Sequence, residues 1–168
     1  MNDTTTDALA QPGAQALLRD ALLLRLAYDG TDGTPRVVPI GFFWTGGRVV
    51  ICTATTAPKV KALGARPEVA LTIDSGSTPM DATALLVRGT AELEVVPGVP
   101  EEYIEGARKV MDPAMIPEFQ RICEETYDAM VRITINPVWA RYFNFGAGRM
   151  PGFLERLTQG TGPAPATS

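Results

Sequence analysis

Histidine is absent from this sequence of 168 residues. Without an imidazole, Ser/His/Asp and Cys/His catalytic arrangements are excluded, as are a histidine-ligated haem and most zinc sites. We therefore expect no metal site. Any chemistry must come from carboxylates, lysine, arginine, tyrosine, backbone amides or a bound organic cofactor.

Cysteine is scarce, since only Cys52 and Cys123 are present and they form no CxxC-type pair. This usage is typical of reduced, inert core thiols in a cytoplasmic protein. No stretch approaches about eighteen uncharged apolar residues, and residues 1–11 lack a basic and apolar leader pattern, so neither secretion nor membrane insertion is predicted. The formal net charge of −4 has the wrong sign for a protein that coats nucleic acid.

The composition that remains is that of one globular domain. Hydrophobic residues make up 45% and charged residues 20% of the chain, and the length fits a single core. We expect one domain over residues 1–168. The polar ends, 1–11 and 158–168, are predicted to be mobile tails.

Alternating and β-branched segments predict a mainly β fold. Turn clusters rich in glycine separate the first three strands, which are expected to pair as antiparallel neighbours. Pro137 interrupts the last strand pattern. The predicted strands cover residues 21–28, 35–44, 48–53, 69–74, 83–96 and 131–145.

Two helical segments interrupt this pattern. A short helix over residues 59–63 follows the third strand, with Thr55 and Thr56 as hydroxyl caps and Gly64 at its end. Residues 100–130 have a helical period and break near Asp112 or Pro117, which predicts a helical pair before the last strand. The pattern favours an antiparallel barrel of six to seven strands with helices outside, and a two-sheet sandwich is the alternative.

The residues between the third strand and the short helix form a candidate phosphate site. A helix N-terminus, the hydroxyls of Thr53, Thr55 and Thr56, and the cations Lys59 and Lys61 suit an anion there. On the neighbouring strand, Arg36 could add a third cation. On these residues alone, ordinary helix capping with solvated lysines is the favoured interpretation, because caps of this type are common.

The order of several short motifs resembles a known family. These are 35–40 (PRVVPI), 46–51 (GGRVVI), 53–63, 66–71 (RPEVAL) and 87–91 (VRGTA). In order and spacing they are similar to the pyridoxamine 5′-phosphate oxidase-like split-barrel family over residues 22–94. The resemblance implies a homodimer of split barrels with a flavin-type cofactor at the subunit interface.

Matched residue by residue, the resemblance implies that Arg36, Thr53 and Lys59 contact the cofactor phosphate. Lys61, Thr55 and Thr56 lie beside this motif as further candidates, and backbone groups near Gly41 and Thr53 would contact the ring.

Two positions depart from the pattern of the family's pyridoxamine phosphate oxidases. Gly41 stands where those enzymes carry a second lysine, and Ala57-Pro58 replaces a Ser-Arg pair. These departures argue against that particular reaction.

The function implied is therefore hydride transfer to or from a small organic substrate by a cytoplasmic flavin-dependent oxidoreductase. FMN is slightly favoured as the cofactor, and the deazaflavin F420 is a close second. The cofactor would perform the chemistry while the protein positions it, so no catalytic residue is assigned. The alternative is a split barrel that binds a flavin or tetrapyrrole without turnover.

Overall fold

A computed structural model describes residues 3–159 and contains one seven-stranded antiparallel sheet. This confirms the mainly β class, and the single sheet excludes the two-sheet sandwich. The strands are β1 (Leu23–Asp29), β2 (Pro35–Gly41), β3 (Phe43–Thr45), β4 (Arg48–Ala54), β5 (Glu68–Ser75), β6 (Thr83–Pro97) and β7 (Ala129–Asn144).

The sheet curls into a barrel that stays open along one seam. Its strand order is β2-β1-β5-β6-β7-β4-β3, so the two edge strands are consecutive in the chain. The single strand expected over 35–44 is broken at Phe42, whose buried side chain is 3% exposed. As a result β2 pairs with β1, whereas β3 pairs with β4. The architecture is the expected split barrel.

The two longest strands, β6 and β7, are joined around a bulge. Their register shifts between Arg88 and Gly89, where Gly89 lies opposite Pro137. A proline cannot donate to the ladder, and a bulge is one of the few places in a sheet that tolerate it. Residues 129–144 therefore form one strand despite Pro137.

Six α-helices surround the sheet in the described residues. They are α1 (Asp3–Ala10), α2 (Pro12–Asp20), α3 (Pro58–Ala65), α4 (Glu101–Arg108), α5 (Ile116–Thr126) and α6 (Gly152–Gln159). The predicted short helix is α3, and the predicted helical pair is α4 and α5, with a 3-10 turn at Pro113–Met115 between them.

Residues 3–10 form α1 instead of the mobile N-terminal tail expected over residues 1–11. The helix packs on β7, where the Thr5 hydroxyl donates to the Val138 carbonyl at 3.3 Å and Leu9 is buried. The polar residues 1–11 predict little burial, but two inward side chains, Thr5 and Leu9, hold this short helix against the sheet. Of the expected C-terminal tail, residues 160–168 lie outside the described part of the chain.

The main core fills the barrel, and α2 closes part of it. Leu18 of α2 is fully buried with Leu24, Leu26 and Ile133 in the same cluster. Lys109, just after α4, contacts both α2 and Phe42. Its ammonium lies 3.8 Å from the centre of the Phe42 ring and donates to the Leu18 carbonyl at 3.3 Å. In the described residues, no helix is long and apolar enough to cross a membrane.

Candidate functional site: a cleft at the barrel seam

The open seam contains a cleft of about 480 Å³ between two strand ends and the α4–α5 pair. One wall comes from β2 and β4, and the facing wall comes from the helices. The lining residues are mostly apolar: Leu22, Leu23, Pro39, Ile40, Gly41, Phe42, Val50, Cys52, Thr53, Ala54, Glu102, Tyr103, Gly106, Ala107, Val110, Phe119, Tyr127 and Met130.

Free strand edges form the first wall. β4 pairs with β7 from Val49 to Ala54, but its other edge pairs with β3 only as far as Val50 among the described residues. β2 pairs with β1 on one side only. Edge strands present unpaired N–H and C=O groups, so this wall offers backbone hydrogen bonds to a bound molecule. Gly41 and Thr53, both expected near a cofactor ring, lie on it.

Beside Thr53, Lys59 provides a cation at the start of α3. Its ammonium donates to the Thr53 hydroxyl at 3.3 Å, and partial burial lowers the pKa of Lys59 below its ordinary value. Within residues 4–157 it forms no ion pair. The first turn of α3 begins with Pro58 and receives no side-chain cap. A lysine without a carboxylate partner and an uncapped helix N-terminus together suit an anionic group.

The other predicted hydroxyls and the second lysine lie outside this contact. Ala57 is the N-cap of α3, so the capping predicted for Thr55 and Thr56 is wrong. Both threonines and Lys61 are exposed next to the helix start. Because α3 begins at Pro58 with Ala57 in the capping position, Thr56 and Thr55 lie one and two residues before the residue that could cap it.

Arg36 lies toward the far end of β2 from Gly41. It pairs with Tyr28 in the β1–β2 register, whereas Gly41 pairs with Leu23. Its guanidinium donates to the Asp32 carboxylate at 2.8 Å and to the Thr34 hydroxyl. These bonds hold the guanidinium at the turn between β1 and β2. Hydrogen bonds from Thr34, with a further one from Arg36, lower the pKa of Asp32 to about 2. The described contacts do not bring Arg36 to Lys59.

The helical wall of the cleft is aromatic. Tyr103 of α4 stacks on Phe119 of α5, with ring centroids 5.9 Å apart and an interplanar angle of 26°. Tyr103 also meets Tyr127 edge-on at 6.5 Å. The helical period places these three rings on two helix faces, but nothing in the sequence pattern links those faces to the strand residues. Sequence analysis therefore missed them as site residues.

A lining carboxylate of the cleft, that of Glu102, is paired with an arginine. Glu102 of α4 accepts a hydrogen bond from the Arg132 guanidinium at 3.0 Å, and Arg132 also binds Glu94 at 2.9 Å. Nearby, burial raises the pKa of the Cys52 thiol to about 12, so this thiol is neutral and unreactive at ordinary pH. This agrees with the inert core thiol expected at that position.

A family model described as pyridoxamine 5′-phosphate oxidase matches residues 10–123. The chain belongs to this family of split barrels. The matched segment includes both walls of the cleft up to Cys123, and with it Arg36, Gly41, Thr53 and Lys59. No curated protein matches the chain.

Several solved structures share the fold. An F420 reductase is 25% identical, with a TM-score of 0.56, over 75% of this chain and 94% of its own. A conserved hypothetical protein from Mycobacterium tuberculosis has a TM-score of 0.63 at 16% identity, covering 89% of this chain and 94% of its own. The haem storage protein of Vibrio cholerae has a TM-score of 0.57 at 15% identity, covering 80% and 93%.

Proposed function

We propose that this family member is a cytoplasmic oxidoreductase that uses a flavin-type cofactor to transfer a hydride to or from a small organic substrate. The observation that carries the proposal is the Lys59–Thr53 pair beside the free strand edges of the seam. It combines an anion site with a backbone surface for a ring, which are the two parts that a flavin-type cofactor needs. When bound, such a cofactor supplies the hydride chemistry.

The residues present fit the phosphate of this cofactor. Lys59 is paired with no carboxylate of residues 4–157, and the first turn of α3 leaves its N–H groups uncapped by a side chain. Arg36, the third cation that the family resemblance implies at this phosphate, is bound to Asp32 instead. Arg36 would need to leave Asp32, and an exposed ion pair of this kind opposes that movement only weakly.

F420 is the cofactor that we favour, because the 25% identity with an F420 reductase spans most of both chains. FMN, which the sequence motifs alone placed slightly ahead, is the second candidate. Gly41 and Ala57-Pro58 supply none of the extra cations that the pyridoxamine phosphate oxidases carry at these positions. We therefore do not propose oxidation of a pyridoxamine phosphate as the reaction.

A homodimer is part of the proposal, and a row of exposed and half-buried side chains across the sheet supports it. Val37, Ala27, Ala70, Arg88 and Trp139 are successive register partners across five strands. Val37 is 65% exposed and Ala70 is also exposed. Small and apolar side chains at the surface of the sheet suit contact with a second copy. A variant Ala70→Glu should sediment as a monomer at concentrations where the unmodified protein is a dimer.

Cofactor binding tests the proposal directly. The purified protein should quench the fluorescence of F420, or of FMN, on titration, and Lys59→Ala should weaken that binding by at least about tenfold. Lys61→Ala is the matched control. Lys61 is exposed and lies two residues after Lys59, so its removal should weaken binding less than threefold, or by about 0.6 kcal/mol. Failure to bind either cofactor would overturn the proposal, and equal losses in the two variants would overturn the phosphate assignment.

The second candidate is a split barrel that binds a flavin or tetrapyrrole without turnover, and the fold shared with a haem storage protein favours it. Steady-state reduction of an electron acceptor by the protein loaded with reduced cofactor separates the two functions. Turnover supports the oxidoreductase, and tight binding with no turnover supports the binding protein.

A further inference from the structure

A second cavity, with a volume of about 440 Å³, lies between α2, β3 and the end of α4. Phe43 and Trp44 of β3 form its aromatic side, and its lining also contains the three cations Arg19, Arg108 and Lys109. The cavity shares no lining residue with the cleft at the seam. A concave site with aromatic walls and a small number of polar groups is typical of small-molecule binding.

Unlike the two arginines of this cavity, Lys109 has no acidic partner among the described residues. Its side chain is half-buried, and its ammonium lies 3.8 Å from the centre of the Phe42 ring. The ammonium also donates to the Leu18 and Ala21 carbonyls at 3.3 and 3.5 Å. A ring and two carbonyls hold the amine in place without neutralising its charge.

The acids on the elements around Lys109 are already paired. Asp20, at the end of α2, accepts from Arg19 at 2.6 Å. Glu105 of α4 accepts from Arg108 at 2.9 Å. Removal from water therefore dominates at Lys109 and lowers its pKa to about 8, although the Asp20 carboxylate opposes the shift. With this pKa, about a tenth of the molecules carry a neutral, nucleophilic amine at pH 7.

We propose that Lys109 captures small aldehydes that carry a carboxylate, by forming an imine in this cavity. The neutral amine nitrogen attacks the aldehyde carbon, a C=N bond replaces the C=O bond, and the oxygen leaves as water with the two amine protons. Lysines in partly apolar cavities are well suited to this reaction. The carboxylate would bind Arg108, whose exposed ion pair with Glu105 opposes that movement only weakly.

Reductive trapping in the full chain, without cofactor, tests the proposal. The chain contains three lysines, Lys59, Lys61 and Lys109, so peptide mapping by mass spectrometry reports each one separately. Glyoxylate with cyanoborohydride at pH 7 should label Lys109 at least about tenfold faster than the exposed Lys61. Equal or slower labelling of Lys109, or labelling of Lys109 only after unfolding in urea, would refute the proposal.

Two matched arginines test the role of the carboxylate. Arg108 and Arg121 are both exposed helix residues, and each pairs with a glutamate three positions earlier. Arg121 belongs to α5 and does not line the cavity. Arg108→Met should slow glyoxylate labelling of Lys109 at least about threefold and leave labelling by neutral glycolaldehyde unchanged, whereas Arg121→Met should change neither. Equal effects of the two variants on glyoxylate labelling would refute the anionic substrate class.

The variant Lys109→Arg tests the location while it keeps the positive charge. It should lose the fast labelling, and Lys59 and Lys61 should react as before. Fast labelling that persists in this variant would place the reactive amine elsewhere and refute the assignment.

This proposal and the proposed function fail separately, because the labelling needs no cofactor. Fast capture at Lys109 in a protein without affinity for F420 or FMN would refute the oxidoreductase alone. Cofactor binding with slow labelling of Lys109 would refute the aldehyde site alone.

Discussion

Arg132 lies between two glutamates that should contribute unequally to stability. It donates to Glu102 at 3.0 Å and to Glu94 at 2.9 Å, so the hydrogen bonds are of similar length. The Glu102 side chain is 21% exposed, however, and that of Glu94 is 66% exposed. Glu94 is the register partner of Arg132 on the paired strand, whereas Glu102 belongs to α4. Only the Glu102 pair ties the helical wall of the cleft to the sheet.

The difference in exposure sets the expected magnitude. Surface ion pairs contribute about 0–1 kcal/mol, and breaking a fully buried pair costs about 3–5 kcal/mol. Glu102→Gln keeps the shape but leaves a guanidinium whose Nε atom has no hydrogen-bond partner among the described residues. We expect it to lower the free energy of unfolding by about 1–2 kcal/mol, and Glu94→Gln to lower it by less than about 0.5 kcal/mol.

Urea unfolding followed by circular dichroism measures both changes. A double-mutant cycle with Arg132→Met should assign most of the loss in Glu102→Gln to the pair itself. If the two glutamine variants lose the same stability, or if Glu94→Gln loses more, the argument from exposure is refuted.

Three further outcomes follow from the structure. Gly89→Ala should lower the free energy of unfolding in urea by about 2 kcal/mol or more, because its new methyl would lie 2.5 Å from the Asn136 carbonyl oxygen. Gly64→Ala has open space around it and should not destabilise the protein. Equal values for the two variants would contradict this. Cys52 should react with iodoacetamide at least about tenfold more slowly in native buffer than in urea, since burial raises the pKa of its thiol to about 12, and rapid native labelling would contradict its neutral state. Burial lowers the pKa of Lys109 from 10.5 to about 8, so the unfolded chain binds more protons than the folded chain between these pH values. The free energy of unfolding, relative to that of the Lys109→Met variant, should therefore rise as the pH increases from about 8 toward 10.5. A fall over this range would refute the reasoning.

Much of the fold could be predicted from the sequence because its signals are local. Turn clusters, alternating β-branched residues and the period change at residue 100 identified the strands, α3 and the α4–α5 pair. The break at Phe42 could not be predicted, because residues 35–44 have one continuous strand pattern. Closing a barrel requires that strand to serve two different neighbours, and only the pairing of β2 with β1 and β3 with β4 reveals the interruption.

The candidate site was likewise predicted from the sequence only in part. The motif order found Thr53, Lys59 and Gly41, which the structure places in or beside one cleft. Contact between Arg36 and this group was not found, because Asp32 holds its guanidinium on the preceding turn.

The sequence by itself determined which chemistry is excluded, which family the chain resembles and which cation lies in the short helix after residues 48–53. These properties depend on composition and on residues close together in the chain. The tertiary structure decided that α4 and α5 cover the seam and that Tyr103, Phe119 and Tyr127 face Gly41 and Thr53 across a cleft. Those contacts join segments about fifty or more residues apart, and folding brings them together because the apolar helix faces must be buried against the open edge of the barrel.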